Sequence, residues 1–410
     1  MSTATSFPKE KIKVLLLEGV HPAAIRMFEE AGYTDLETAK GAMSEEDLLK
    51  RISQVHLLGI RSKTQLTKKV LDAGEKLLAV GAFCIGTNQI EMASAIDNGI
   101  AVFNSPFSNT RSVAELVIAH CINLMRRVFE KSEAAHKGLW LKDATESFEV
   151  RGKTLGIVGY GHIGSQVSVL AENMGMKVIF YDIEPKLSLG NAMAVRSLEE
   201  LLQQSDIVTL HVPGLDSTKN LIDAKRLSQM KKGAMLINYS RGEVVDLDAV
   251  KESMEQNHLR GLAVDVFPYE PKNNQEKFVT PVQNVPNVII TPHIGGSTAE
   301  AQESIGIDVA GKLINFLESG SSTGSLSVPA LSLPVQQDTH RLLHIHRNVP
   351  GVLSEINGLL SHMNVNILGQ YLKTNNAIGY VVLDIDKNTS PGVLEELRKV
   401  KHTIRVRNLY

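Results

Sequence analysis

One stretch constrains this chain more than any other. An apolar run, Thr154 to Val158, meets Gly159-Tyr160-Gly161-His162-Ile163-Gly164, and a helical pattern starts at once. Ile163, Val167, Leu170, Ala171 and Met174 recur on one helical face. A second apolar run, Lys177 to Tyr181, then ends at Asp182. Glycines at these spacings let a backbone come close to a pyrophosphate, and a helix N-terminus presents free N–H groups and a partial positive charge. An acid at the end of the next strand accepts hydrogen bonds from ribose hydroxyls and repels a 2′-phosphate, which predicts NAD rather than NADP.

The surrounding pattern extends this unit into a sheet. Strands are predicted at Ile207 to Leu210, Ala234 to Asn238, Leu262 to Val266 and Val288 to Thr291. With the first two they make six parallel strands, a Rossmann-like doubly wound nucleotide-binding domain. Upstream, Val14 to Leu17, Leu57 to Ile60 and Leu77 to Val80 read as strands, with helices at His21 to Ala31 and Val70 to Glu75, so the N-terminal region is α/β as well. Gly320 to Ser327 is rich in Gly, Ser and Thr and reads as a linker. Beyond it the order changes to βαββαβ, with strands at Arg341 to His346, Asn366 to Lys373, Gly379 to Asp386 and Thr403 to Asn408. Helices at Val352 to His362 and Pro391 to Val400 complete this ferredoxin-like pattern. A length of 410 residues agrees with two or three domains.

Three segments at strand ends carry candidate chemistry: Asn238-Tyr239-Ser240-Arg241-Gly242, Asp265-Val266-Phe267-Pro268-Tyr269-Glu270-Pro271 and Thr291-Pro292-His293-Ile294-Gly295-Gly296. Ligands of open α/β sheets bind beyond the carboxyl ends of the strands, so all three point to one crevice. Oxidising an alcohol needs a base for the hydroxyl proton, and His293 suits that role. Glu270 can hold the far ring nitrogen and raise the imidazole pKa. Arg241 has a planar fork that matches a carboxylate. Each residue taken singly has a bland explanation; their order downstream of a nucleotide loop makes the joint reading the better one.

With these motifs the chain resembles the D-isomer-specific 2-hydroxy-acid dehydrogenase family. Cys84 to Gln89, Phe107 to Glu115 and the C-terminal region are similar to the branch that acts on 3-phospho-D-glycerate. The resemblance implies a discontinuous, flavodoxin-like substrate-binding domain (1–108 with 297–336), an NAD-binding domain (109–296) and an ACT regulatory domain (337–410). It implies Arg241, Glu270 and His293 as catalytic residues. Around NAD it implies Gly159, Gly161, His162, Ile163, Gly164, Asp182, Tyr239, Ser240, Arg241, Asp265, His293, Ile294, Gly295 and Gly296, with Asp265 on the nicotinamide side. Arg61, Ser62, Lys63, Asn109 and Lys142 would hold the substrate. Relatives commonly carry Arg where this chain has Lys63, and a small residue where it has Tyr239, whose side chain would then alter the crevice wall. His346, Asn348 and Asn366 would bind L-serine as an allosteric inhibitor. A homotetramer is implied, with Lys142 reaching a neighbouring subunit's site, and reduction of 2-oxoglutarate is an expected side activity. The competing readings are another enzyme of the family, such as a hydroxypyruvate or glyoxylate reductase, and a non-enzymatic NAD-sensing scaffold.

Bulk properties narrow the partners. A net charge of -2 predicts no broad attraction to nucleic acid or anionic membrane. Two cysteines, Cys84 and Cys121, cannot build a disulfide framework and predict a reducing, cytoplasmic setting. The first thirteen residues lack the apolar core of a secretory signal. His344 and His346 lack further ligands at metal spacing, so no metal is expected.

Overall fold

The computed structural model describes residues 7–271, 275–334, 339–387 and 392–409. The expected boundary between 336 and 337 and the expected helix start at Pro391 lie outside the described residues. The chain divides into two compact units, Met1–Ser108 with Gln302–Tyr410, and Asn109–Ala301.

In the first unit, five short strands form a parallel sheet: β1 (Val14–Leu16), β2 (Leu36–Thr38), β3 (Leu57–Ile60), β4 (Ala79–Ala82) and β5 (Ala101–Asn104), in the order β2-β1-β3-β4-β5. All but β2 are buried along their length, as expected of parallel strands covered on both faces. β2 and β5 escaped the sequence reading, because three- and four-residue strands carry too little periodicity. The helix Ala299–Ser319 lies against β4: a Cβ added at Gly81 would meet Val309 and Leu313 side chains at 2.7 Å.

Gly320 to Ser327 is not the solvated spacer its composition predicted. Ser322 and Ser327 are buried, and Ser327 Oγ accepts from Val102 N (2.9 Å) and donates to Ile100 O (2.7 Å). Ser327 thus satisfies backbone groups at edge strand β5, while Ser322 Oγ donates to Pro329 O (2.6 Å) and accepts from Leu331 N (2.9 Å).

The C-terminal segment forms an antiparallel sheet of β13 (Thr339–Arg347), β14 (Ile367–Thr374), β15 (Ile378–Asp386) and β16 (Thr403–Leu409), ordered β14-β15-β13-β16. The helices Val352–His362 and Val393–Lys399 complete the ferredoxin-like unit. Leu343, Ile345, Tyr380, Val382 and Leu409 of this sheet share one apolar core with Phe28, Tyr33, Phe316 and Leu317. A fully buried ion pair, Arg341 Nε to Asp384 Oδ1 at 2.7 Å, is tied to the preceding chain by Arg341 hydrogen bonds to Ser319 O and Pro334 O.

The second unit holds seven parallel strands: β6 (Thr154–Val158), β7 (Lys177–Tyr181), β8 (Met193–Ala194), β9 (Ile207–Leu210), β10 (Ala234–Asn238), β11 (Leu259–Val264) and β12 (Val288–Ile290). Their order is β12-β11-β10-β9-β6-β7-β8, a doubly wound sheet that reverses at β6 and β9. The extra strand, β8, has two residues. Relative to expectation β11 starts and ends earlier, so Asp265 is the first residue beyond the sheet. No helix among the described residues is long and apolar enough to cross a membrane.

Candidate active site

The nucleotide loop follows β6. Gly159 has φ +91, and a Cβ there would sit 2.5 Å from His211 O, so only glycine makes this turn. A Cβ at Gly164 would approach Gly159 O to 2.3 Å, whereas one at Gly161 would meet open space. The helix His162–Asn173 is thus pressed onto the turn, and room is left over Gly161 for a pyrophosphate. Asp182 Oδ2 accepts from Tyr160 N at 2.8 Å, so the acid at the end of β7 also braces the loop. These residues fit a bound dinucleotide.

The three expected segments leave the same edge of the sheet, after β10, β11 and β12. They approach closely because residue 242 lacks a side chain: a Cβ on Gly242 would overlap the Phe267 carbonyl carbon at 1.9 Å. Arg241 is placed by Asn238, whose Nδ2 donates to Arg241 O (2.9 Å) and whose Oδ1 accepts from Ser240 N and Oγ.

Glu270 Oε1 accepts from Phe267 N at 3.2 Å, and Oε2 lies 2.8 Å from His293 Nδ1. A carboxylate only accepts, so Nδ1 carries the proton and Nε2 is the basic nitrogen. Burial works to raise the Glu270 pKa, but the His293 ring, the Phe267 amide and the Arg241 charge outweigh it and hold it below the ordinary value. The hydrogen bond to Glu270 raises the His293 pKa against the opposing effect of burial.

His293 itself has φ +53, a left-handed conformation uncommon for a residue with a side chain. Asp265 holds it there. The backbone oxygen of Asp265 accepts from His293 N (2.9 Å), its Oδ1 from Ile294 N (2.8 Å), and its Oδ2 from Gly295 N (2.8 Å). Burial raises the Asp265 pKa against these donors and Thr291. Asp265, expected on the nicotinamide side, is buried, and these bonds fasten the turn that carries His293.

The Tyr239 side chain departs from expectation. It does not line the crevice but is buried, with its hydroxyl on His120 Nδ1 and 3.3 Å from Thr291 Oγ1. Thr291 Oγ1 in turn donates to Asp265 Oδ1 at 2.6 Å. His120 lies in the helix Thr110–Arg126, and burial pushes its pKa down to about 4, so it is neutral. Sequence reasoning missed His120 and Thr291, since a histidine inside an amphipathic helix gives no signal by itself.

Of the other expected residues, Asn109 and Lys142 belong to the second unit and Arg61, Ser62 and Lys63 to the first. Asn109 is buried, with Oδ1 unpartnered among the described residues, and its Nδ2 lies where a Gly296 Cβ would go. Lys142 is exposed beside Leu139, Trp140 and Leu141, all exposed, Trp140 at 84%. In the first unit, Arg61, Ser62 and Lys63 follow β3. Their loop is organised by Glu18, a buried residue the sequence reading passed over, whose carboxylate accepts from Arg61 N (3.2 Å), Lys63 N (3.0 Å) and Thr64 N (2.8 Å).

The regulatory candidates do not meet within one chain. His346 is buried near the end of β13, and Asn348 Nδ2 donates to Asn375 O at 2.7 Å. Asn366 precedes β14, where its carbonyl accepts from Asp386 N. Residue 386 pairs with Thr339, at the far end of β13, so Asn348 and Asn366 lie at opposite ends of the sheet. His344 Nε2 bonds Thr403 Oγ1, and no metal-binding group of three or more His, Cys, Asp or Glu occurs among the described residues.

Residues 118–295 match the family model of the D-isomer specific 2-hydroxyacid dehydrogenase NAD binding domain. A curated D-3-phosphoglycerate dehydrogenase from Haemophilus influenzae is 52% identical over 410 residues, covering 100% of both chains. The chain belongs to the D-isomer-specific 2-hydroxyacid dehydrogenase family. It is an NAD-dependent dehydrogenase, and residues 342–405 match an ACT domain of the AHAS small subunit type. A second relative, D-3-phosphoglycerate dehydrogenase 1 of Saccharomyces cerevisiae, is 47% identical, covering 98% of this chain and 89% of its own. Among solved structures, D-lactate dehydrogenase from Aquifex aeolicus, complexed with NAD and lactic acid, superposes with TM-score 0.65 at 29% identity. It covers 78% of this chain and 100% of its own.

Proposed function

We propose that this dehydrogenase oxidises 3-phospho-D-glycerate to 3-phosphooxypyruvate, the first step of the phosphorylated route to L-serine. The observation that carries the reaction type is the Glu270–His293 pair beside Arg241. The full-length likeness to curated D-3-phosphoglycerate dehydrogenases supports the substrate.

His293 Nε2 takes the hydroxyl proton. Glu270 keeps Nδ1 protonated and stabilises the imidazolium that forms. Arg241 holds the substrate carboxylate and draws charge from the forming carbonyl oxygen. Bound NAD supplies the hydride acceptor, with the Gly159–Gly164 turn under its pyrophosphate and Asp182 on a ribose. The backbone of Tyr239 and Ser240 and the Ile294-Gly295-Gly296 turn complete its contacts. Arg61, Ser62, Lys63, Asn109 and Lys142 are assigned to the substrate phosphate, with Lys142 serving a neighbouring subunit of a homotetramer. The exposed Leu139-Trp140-Leu141 run supports such association.

L-serine is the assigned inhibitor. Because β14 is an edge strand, two copies pairing these edges antiparallel bring Asn348 near the partner subunit's Asn366, which one chain alone does not do. Reduction of 2-oxoglutarate belongs to the same site, since that substrate also has two anionic ends. We place the enzyme in the cytoplasm, in keeping with two free thiols.

A substrate panel tests the reading. We expect kcat/KM for 3-phospho-D-glycerate to exceed that for D-glycerate by at least a hundredfold. Equal values would favour the unphosphorylated-acid enzymes of the family.

A further inference from the structure

Within the first unit, an open cavity of about 880 Å³ lies under edge strand β16. Its lining includes Arg405 and Arg407 together with Lys9, Lys76 and Arg398. Arg405 and Arg407 are two residues apart on one strand, so they project from the same face about 7 Å apart. Neither has a carboxylate partner among the described residues. Arg405 donates to Leu77 O, and Arg407 donates to Leu317 O and lies over the Phe316 ring. These tethers use few of the five N–H donors of each guanidinium. Arg407 Nη1 is buried without a partner among the described residues. Burial, and then the charge of Arg407, pull the Arg405 pKa down to about 10, the sign of cations held together out of water.

The acids of the lining do not relieve this. Glu318 is engaged by Lys9, and Glu75 is exposed to solvent. Two adjacent, partly buried cations with unused donors are costly unless an anion joins them. Chance burial of two arginines as tethers would leave no open cavity beside their free donors.

We propose that this cavity is a second anion site, separate from catalysis, that binds a phosphate-type dianion between Arg405 and Arg407. Free phosphate and a phosphate monoester share this chemistry. The ligand would bridge the C-terminal sheet to the remainder of the first unit, since the cavity is walled by both. The inference does not depend on which 2-hydroxy acid is oxidised.

The test is calorimetric titration of the full-length protein with inorganic phosphate, and separately with glycerol 3-phosphate, at ionic strength held constant with chloride. The double variant Arg405→Gln/Arg407→Gln should lose one phosphate-binding event per chain, or weaken it at least tenfold. Its kcat and KM in chloride buffer should stay near wild type. Loss with inorganic phosphate alone identifies free phosphate as the ligand, and loss with glycerol 3-phosphate as well extends the site to esters. Identical isotherms for wild type and double variant would overturn the proposal. If that variant does not fold, Lys76→Gln/Arg398→Gln at the exposed rim decides: severalfold weaker binding supports the site, and unchanged affinity refutes it.

Discussion

At the scale of the residue, catalysis rests on side chains that hold other side chains. Glu270 is the clearest case. In the proposed mechanism oxidation needs a neutral His293, so activity should fall as pH drops through its pKa, and Glu270 should move that limb above the ordinary imidazole value of about 6.5. Glu270→Gln should therefore shift the acid limb of the kcat/KM profile downward and reduce kcat; a limb that stays in place would remove Glu270 from this role. Glu18 acts in the same way on the Arg61–Thr64 loop. Its Oε2 accepts only from Lys63 N, and an amide nitrogen at that position cannot accept. Glu18→Gln should raise KM for 3-phospho-D-glycerate roughly tenfold while KM for NAD changes less than about twofold, as expected for one lost charge-assisted bond. Steady-state kinetics with each substrate varied would show it.

At the scale of the element, what matters is which ends of strands and helices coincide. β10, β11 and β12 deliver Arg241, Glu270 and His293 to one edge because all three run parallel. This much was legible in the sequence: five of the six strands assigned to this sheet start at the expected residue, and the missing one has only two residues. The sheet of β13 to β16 shows the opposite. His346, Asn348 and Asn366 lie within about twenty residues of one another in the sequence, yet an antiparallel register sends Asn366 to the far end of the sheet. The proposed L-serine site, which uses all three residues, therefore needs two copies of the sheet. Asn348→Ala should relieve the proposed inhibition by L-serine with uninhibited turnover near wild type, and mixed oligomers of Asn348→Ala and Asn366→Ala chains should regain part of the inhibition. Unchanged inhibition in both single variants would place the effector elsewhere.

At the scale of the whole molecule, the C-terminal sheet is joined to the chain before it by more than a linker. Arg341 and Asp384 are fully buried and satisfy each other, while Arg341 also binds Ser319 O and Pro334 O. Removing one partner leaves an uncompensated buried charge, which costs about 3–5 kcal/mol. Asp384→Ala should lower the urea midpoint of unfolding by an amount reflecting that loss, and the double replacement Arg341→Met/Asp384→Leu should recover much of it. A single variant as stable as wild type would show that the pair does not bear on this junction.

The division between sequence and structure follows from range. Local order in the chain determined the nucleotide turn, the strands that bracket it and the identity of Arg241, Glu270 and His293, because glycine spacing and apolar periodicity are short-range signals. Tertiary packing alone decided that Asp265 fastens the catalytic turn, that Tyr239 turns inward to His120, that Glu18 organises a loop more than forty residues away, and that Ser322 and Ser327 are buried in a segment composed like a spacer. Except for Ser322, whose partners Pro329 and Leu331 are near in sequence, each of these is a hydrogen bond between distant residues, formed because a buried polar group must find a partner wherever the fold brings one.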